Sequence, residues 1–264
     1  MINTRDVSRE IAPFAKSFNS FCRDGYRYDA GEVFADLLDY GLEGFKVKTN
    51  PEICRRLRDK YKQDEEGLRS LFVELAKLYG ENVGEGWQWF DALGNIYEAI
   101  ASGYKKSSFG QFFTPEHICD MMGKMVISET EKEVTISDPC AGSGRLLLAG
   151  YCSAQGKAVL YGEDKDAICA KMTALNFLFH GYRAEVVCHD SLLPDTFNFG
   201  YHIQPYKELS PLPHLIEITA EQSVIVGRAR AIKEEKPEQF KAEIELRKEL
   251  VQRAGRGGEQ LGLF

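Results

Sequence analysis

Apolar and polar positions are arranged in three different ways along the chain. In 31–40 and 68–79 apolar residues recur at helical spacing, which predicts a helical N-terminal region over residues 1–104. From 105 to 206, short apolar runs that end at 138, 163 and 188 predict strands that alternate with turns and helices. This alternation indicates an α/β module.

The C-terminal part of the chain offers fewer strands. Residues 215–219 favour one strand, whereas 220–253 are rich in charge and place a few apolar residues at loosely helical spacing: Ile232, Phe240, Ile244 and Leu250. We therefore expect one or two solvated helices in a charged region over 207–254. The Gly/Arg run at 255–258 predicts a flexible tail over 255–264.

A strand, a glycine turn and a helix start follow one another at 136–148. Gly142 and Gly144 let the backbone adopt conformations that a Cβ atom disfavours, and the helix start supplies free N–H groups. The turn lacks the third glycine of a dinucleotide fingerprint and the Lys-Ser/Thr pair of a phosphate loop. Glu163, after the next strand, is placed to accept ribose hydroxyls. The pattern predicts a nucleotide-like ligand; the alternative is an ordinary turn beside a surface glutamate.

Four motifs in order carry a resemblance to a known family. They are Asp-Ala-Leu-Gly-Asn-Ile-Tyr-Glu at 91–98, Gly-Gln-Phe-Phe-Thr-Pro at 110–115, Asp-Pro-Cys-Ala-Gly-Ser-Gly at 138–144 and His-Asp-Ser-Leu at 189–192. Met172, Asn176 and the His-Gly pair at 180–181 continue the same pattern. Over about residues 88–195 the chain resembles N6-adenine DNA methyltransferases, specifically the modification subunits of type I restriction systems.

The resemblance implies a Rossmann-like methyltransferase fold and a site for S-adenosylmethionine. Segment 113–115 would lie against the methionine end of the cofactor, and the 138–144 turn would hold its amino acid portion. Glu163 would bind the ribose, and 190–191 would sit beside the adenine ring. Thr114 and Pro115 also suit a helix start, with Thr114 as N-cap. The implied cofactor-binding residues are Phe113, Thr114, Pro115, Asp138, Pro139, Gly142, Ser143, Gly144, Glu163, Asp190 and Ser191.

The catalytic tetrapeptide of this family, Asn/Asp-Pro-Pro-Tyr/Phe after the fourth strand, does not occur in the sequence. It supplies an acceptor for the adenine amine and a platform for the flipped base. The nearest remnant is Ile-Gln-Pro-Tyr at 203–206, in which Ile203 cannot accept a hydrogen bond through its side chain. Gln204, Pro205 and Tyr206 are the candidate catalytic residues; ordinary loop packing is the alternative.

The length after that remnant predicts a fold truncated after the fourth strand. A full methyltransferase sheet needs about three more strands, and each βα unit takes roughly 30 residues. Residues 207–264 do not offer them. The cofactor-binding half is therefore expected to be present and the substrate half shortened.

Composition narrows the class of protein. A hydrophobic content of 44% supports a real core. No run of about 18 apolar residues and no hydrophobic signal segment occur, which predicts a soluble, cytoplasmic protein without a membrane role. The seven cysteines have no Cys-x-x-Cys or zinc spacing, so reduced thiols and no metal site are expected.

Charge bears on the DNA partner. The net charge of −7 argues against a self-sufficient DNA clamp. Local basic groups remain candidates for phosphate contact or for solvated surface: Lys105, Lys106, Arg228, Arg230 and Lys233. Type I relatives rely on a separate specificity subunit to read the DNA sequence, and we expect the same here.

The last five residues, Gln-Leu-Gly-Leu-Phe, resemble the peptides by which bacterial replication and repair proteins bind the sliding clamp, typically Gln-Leu-x-Leu-Phe. Gln260, Leu261, Leu263 and Phe264 match every defined position. The alternative is that the apolar side chains fold back onto the protein's own surface.

These patterns predict a cofactor-dependent adenine methyltransferase of DNA, or a component of such a system. The alternative is a catalytically idle cofactor-binding accessory protein associated with DNA or the sliding clamp. Methylation of protein or RNA is a third reading, because the base-contacting motif is the one that is lost.

Overall fold

The structure is a computed structural model that describes residues 1–23, 28–84, 88–103, 113–127, 132–193, 195–204 and 213–235. In these ranges the helices are α1 (Ala12–Arg23), α2 (Ala30–Phe45), α3 (Pro51–Lys60), α4 (Glu65–Asn82), α5 (Ala92–Gly103), α6 (Glu116–Val126), α7 (Arg145–Ser153), α8 (Ala167–His180) and α9 (Val224–Glu235). The strands are β1 (Val134–Asp138), β2 (Ala158–Asp164), β3 (Ala184–Cys188), β4 (Phe199–Gln204) and β5 (His214–Ile218).

The N-terminal helices share one apolar core with the sheet. The two segments with helical spacing lie in α2 and α4, and Asp29 caps α2 by accepting from the N–H groups of Gly31 and Glu32. Leu38 of α2, Leu75 of α4 and Phe177 of α8 are fully buried in that core. The N-terminal helices therefore pack against the α/β part through a shared core.

The sheet has the strand order β1-β2-β3-β4-β5. β1, β2 and β3 run parallel, whereas β4 lies antiparallel to β3 and β5 antiparallel to β4. The apolar runs that predicted strands before 138, 163 and 188 and at 215–219 coincide with β1, β2, β3 and β5. The predicted α/β class is confirmed.

The position of β4 departs from a doubly wound sheet, in which the fourth strand lies beside the first. The residues between β3 and β4, 189–198, are too few for the crossover of about a dozen or more residues that a parallel neighbour requires. β4 therefore turns back beside β3. Among the described strands β1 pairs with β2 alone and forms an edge of the sheet.

β3 is buried on both faces. Val186 belongs to the main core, whereas Val187 packs with Ile225 and Val226 of α9 on the other face. Glu185 is buried and accepts from the Ser223 hydroxyl at 2.6 Å and the Ile225 N–H at 3.1 Å, which suits a carboxylate at a helix N-terminus. Within the described residues, no helix combines the length and the apolar character needed to cross a membrane.

Candidate functional site

The glycine turn joins β1 to α7 at the carboxyl edge of the parallel strands. Gly142 and Gly144 have φ values of +60° and +86°, a left-handed conformation that favours glycine. A Cβ atom on Gly142 would lie 2.8 Å from Cδ1 of Phe113. Gly142 is thus required both for the backbone conformation and for the approach of the Phe113 ring.

Carboxylates and the neighbouring strand fix the shape of the turn. The Gly142 N–H donates to Asp164 Oδ2 at 2.9 Å, and the Cys140 N–H donates to Asp138 Oδ1 at 3.0 Å. The Ala141 N–H donates to the carbonyl of Glu163 at 2.8 Å. Sequence analysis missed Asp164; the signal was its place beside Glu163 at the end of a strand, where successive side chains point to opposite faces.

Several carboxylates concentrate negative charge around the turn. Burial raises the pKa of Asp138, and the nearby carboxylate of Glu163 raises it further. Burial also raises the pKa of Asp164, and Asp166 and Asp138 add to this effect. Because these carboxylates repel one another, a cationic ligand group placed among them would be stabilised.

Glu163 and the segment after β3 meet at the same edge. His189 has a fully buried side chain, and its Nε2 lies 2.7 Å from Glu163 Oε2. Asp190 Oδ1 accepts the Leu192 N–H at 3.1 Å. A cavity of about 290 Å³ between this edge and α9 is lined in part by Pro139, Glu163, Ser191 and Arg228.

The segment before α6 lies on the other side of the turn. The Phe113 ring faces Gly142, and the carbonyl of Thr114 accepts from Arg145 Nη1 at 3.2 Å. The N-cap of α6 is Pro115, one residue later than the sequence predicts, and Thr114 is therefore not the cap. One end of the sheet, at the carboxyl ends of β1, β2 and β3, thus brings together Phe113, the 138–144 turn, Glu163 and residues 190–191.

Comparisons with known proteins show which proteins this chain resembles. Residues 88–208 match the N-6 DNA Methylase family. The type I restriction enzyme MjaVII methylase subunit of Methanocaldococcus jannaschii is 29% identical over 121 residues, which make up 44% of this chain and 20% of that protein. Residues 88–208 of this chain are similar to N6-adenine DNA methyltransferases. The resemblance predicted from the motifs is confirmed.

Other relatives of this chain are also restriction-modification methylases. The type II methyltransferase M.VspI of a Vibrio species is 25% identical over 178 residues, 65% of this chain and 41% of that protein. A type I restriction-modification methyltransferase subunit from Streptococcus thermophilus has a solved structure that covers 68% of this chain and 56% of its own, with 16% identity. Its TM-score of 0.34 is too low to establish a shared fold. The chain spans 20% of the length of the MjaVII and MjaVIII methylase subunits.

Ser143 of the methyltransferase-like turn points into the protein. Its side chain is buried, and its hydroxyl donates to Asp91 Oδ2 at 2.6 Å. Asn176 Nδ2 donates to the Ser143 carbonyl at 2.7 Å. The Ser143 side chain therefore holds the turn from behind. Sequence analysis quoted Asp91 and Asn176 as part of the motifs without assigning them this role.

The described part of the candidate catalytic remnant, Ile203 and Gln204, lies at the other end of the strands from the glycine turn. Ile203 is buried and pairs with Ala184 at the start of β3, and Gln204 follows it. Because β4 is antiparallel, Gln204 lies beyond the amino end of β3, about 17 Å along the strand from Cys188 at the opposite end. Gln204 thus lies away from the glycine turn, and its catalytic role stays a prediction.

Several predicted functional residues lie outside the described ranges. They are Pro205 and Tyr206 of the remnant, Lys105 and Lys106, and the clamp-like peptide with Gln260, Leu261, Leu263 and Phe264. The seven cysteines, by contrast, are all described and free of disulfides. Cys140 in the turn is an exposed residue, but partial burial of its thiol raises the pKa, and the charges of Asp164 and Asp138 raise it further. Its environment is therefore not that of an activated thiolate.

Proposed function

We propose that this chain is the S-adenosylmethionine-binding part of an N6-adenine DNA methyltransferase of a restriction-modification system, with a Rossmann-like arrangement of β1, β2 and β3. The observation that carries the proposal is the convergence of Phe113, the glycine turn and Glu163 at one edge. The family match over 88–208 supports the choice of DNA as substrate.

The residues at this edge fit the charge of the cofactor. S-adenosylmethionine, when bound, would supply a methyl group activated by a positively charged sulfur. Asp138 and Glu163 repel each other, and a ligand that carries an ammonium group and a sulfonium would relieve that repulsion. Glu163 would accept the ribose hydroxyls, with its carboxylate orientation held by His189.

Each remaining group has a proposed position around the ligand. Phe113 would cover the methionine end, and the 113–115 segment would keep water from that end. Asp190 and Ser191 would flank the adenine ring beside the cavity under α9. The missing Cβ at Gly142 would let the Phe113 ring cover the turn closely.

The sequence does not contain the motif that would serve the substrate side of the reaction. Extraction of an adenine from the duplex calls for an acceptor for its amine and an aromatic platform. No Asn/Asp-Pro-Pro-Tyr/Phe segment occurs in the sequence, and Gln204 lies beyond the amino end of β3, at the other end of the strands from the glycine turn. We propose that the isolated chain binds cofactor but methylates DNA weakly, and that DNA recognition depends on a separate specificity subunit.

A second candidate function follows from that lack. The chain would act as a cofactor-binding accessory protein, recruited to DNA through the sliding clamp by its terminal Gln-Leu-Gly-Leu-Phe peptide. Tethering to a clamp that already encircles DNA raises effective concentration, which suits a chain with a net charge of −7.

Calorimetry with S-adenosylmethionine and S-adenosylhomocysteine tests the cofactor proposal. We expect micromolar binding that Glu163→Gln weakens and that Glu74→Gln, a matched change on the exposed surface of α4, leaves unchanged. No binding of either ligand by the wild-type chain would refute the proposal. Transfer of a labelled methyl group into DNA, with and without cellular partners, separates the two candidate functions.

A further inference from the structure

A buried carboxylate in front of α5 is the centre of a polar network behind the glycine turn. Asp91 Oδ1 accepts from the Gly94 N–H and from Asn176 Nδ2, both at 2.8 Å. Asp91 Oδ2 accepts from the Ser143 hydroxyl at 2.6 Å and from Arg145 Nε at 2.8 Å. One side chain of the helical region thus binds the turn, α7 and α8 together.

Arg145 carries this network to the segment before α6. Its guanidinium is buried, and its Nη1 donates to the Thr114 carbonyl at 3.2 Å. The guanidinium carbon lies 5.2 Å from the centroid of the Phe113 ring, within cation–π range. Burial alone would lower the pKa of Arg145, but Asp91 and Glu98 raise it above its ordinary value, so the group stays charged.

Glu98 of α5 closes the network from the other side. Its Oε2 accepts from Arg145 Nη2 at 3.2 Å, and its Oε1 accepts from the main-chain N–H of Phe113 at 3.1 Å. The carboxylate therefore uses both oxygens to join Arg145 to the backbone of the 113–115 segment. Glu98 itself lies behind that segment and makes both contacts from α5.

Gly94 shows how closely α5 approaches the turn. A Cβ atom there would clash with Asp91 Oδ2 and would lie 2.7 Å from both Arg145 Nη2 and Ser143 Oγ. No side chain larger than hydrogen fits without moving these groups. The packing between α5 and the turn therefore leaves no space for a side chain at position 94.

We propose that Glu98 is a positioning residue for the methionine end of the cofactor. It acts through Arg145 and the Phe113 main chain, which it holds against the glycine turn. The inference rests on the proposed function, because it takes the methionine end to lie at 113–115. The adenosine end would lie beside Glu163 and Asp190, and we expect it to be independent of Glu98, whose hydrogen bonds go to Arg145 and the Phe113 main chain.

Glu98 is a better residue to test than Asp91. The Asp91 side chain is fully buried and accepts four hydrogen bonds, so its loss would leave Arg145 without its main partner and endanger folding. The Glu98 side chain is 31% exposed, which lets water replace part of what is lost. Glu98→Gln keeps the size but has only one acceptor oxygen for two donors, and Glu98→Ala removes both acceptors.

Two ligands separate the ends of the site. S-adenosylhomocysteine contains the adenosine and the amino acid portion, whereas 5′-methylthioadenosine lacks the amino acid. We expect both Glu98 variants to weaken S-adenosylhomocysteine binding by about tenfold or more, and to change 5′-methylthioadenosine binding by less than about twofold. Glu163→Gln should weaken both ligands, and Glu74→Gln neither.

Amide exchange supplies a readout that needs no ligand. The Phe113 N–H loses its acceptor in Glu98→Ala, so its hydrogen exchange should become faster, while exchange in α4 should stay the same. Wild-type exchange at Phe113 in this variant would overturn the inference.

The binding results have distinct meanings. Equal losses for the two ligands in the Glu98 variants would make Glu98 a structural residue without a positioning role, and unchanged S-adenosylhomocysteine affinity would overturn the inference outright. A wild-type chain that binds neither ligand would refute the proposed function, and the inference would fall with it.

Discussion

Gly142 and Gly181 form a natural pair for testing the geometry of the turn. Both have left-handed backbones, with φ values of +60° and +67°. A Cβ on Gly142 would lie 2.8 and 2.9 Å from two carbons of the Phe113 ring, whereas a Cβ on Gly181 meets nothing within 4 Å. Alanine at the two positions therefore differs in steric surroundings while sharing the backbone strain.

The magnitudes follow from these two terms. A residue with a Cβ in the left-handed region costs about 1–2 kcal/mol, which is the whole expected effect of Gly181→Ala. Overpacking against a ring adds about 1–3 kcal/mol, so Gly142→Ala should lower the free energy of unfolding by roughly 2–5 kcal/mol. If Phe113 swings away instead, the stability loss shrinks, but the turn loses its cover and S-adenosylhomocysteine binding weakens.

Urea denaturation and calorimetry on the two variants check this reasoning. Gly181→Ala should keep wild-type cofactor affinity, and Gly142→Ala should not. In a Phe113→Ala background the Gly142→Ala change should cost only the strain term, as at Gly181. Equal stability losses for the two variants in the wild-type background, together with unchanged binding, would refute the idea that the Phe113 ring leaves no room for a Cβ atom at Gly142.

Three further outcomes are expected. Gly94→Ala should destabilise the fold and weaken cofactor binding together, since its Cβ clashes with Asp91; urea denaturation and calorimetry measure both. Burial raises the pKa of Asp138 above its ordinary value, so folding favours the protonated carboxyl. The contribution of this group to the free energy of unfolding is therefore present at acidic pH and is lost as pH rises through the raised pKa. Asp138→Asn should therefore stabilise the ligand-free protein at neutral but not acidic pH in urea titrations, while weakening cofactor binding. Deletion of 260–264 should abolish pull-down of the sliding clamp and leave cofactor affinity unchanged; a truncated chain that still binds the clamp would make the peptide a packed tail.

The glycine turn of the candidate site could be predicted because its signals are local. A strand followed by glycines marks a turn wherever it occurs, and the left-handed φ values of Gly142 and Gly144 agree with that expectation. The strand that ends at 188 was predicted from its apolar run, and β3 ends at that residue. These features depend on neighbours in sequence, which a single chain displays directly.

The direction of β4 could not be predicted from its own residues, since the same alternation suits parallel and antiparallel pairing. The connection length decides it, and that length becomes informative only when the ends of both strands are known. Asp91 and Asn176 were visible as motif members, but their contact joins positions far apart in the chain. Sequence pattern places residues on elements; it does not show which elements meet.

The edge position of β1 connects these results. In a doubly wound sheet the ligand crevice opens at the carboxyl ends, between the first strand and the neighbour that continues the other half of the sheet. Here the described strands build only the β1-β2-β3 side of that crevice. The proposed cofactor residues of the strands and the glycine turn lie on this side, and the proposed function expects the acceptor for the adenine amine on the other. Cofactor affinity and methyl transfer are therefore expected to separate in this chain, because the proposed cofactor groups converge at the carboxyl ends of the parallel strands, whereas Gln204, within the described residues, lies beyond the amino end of β3.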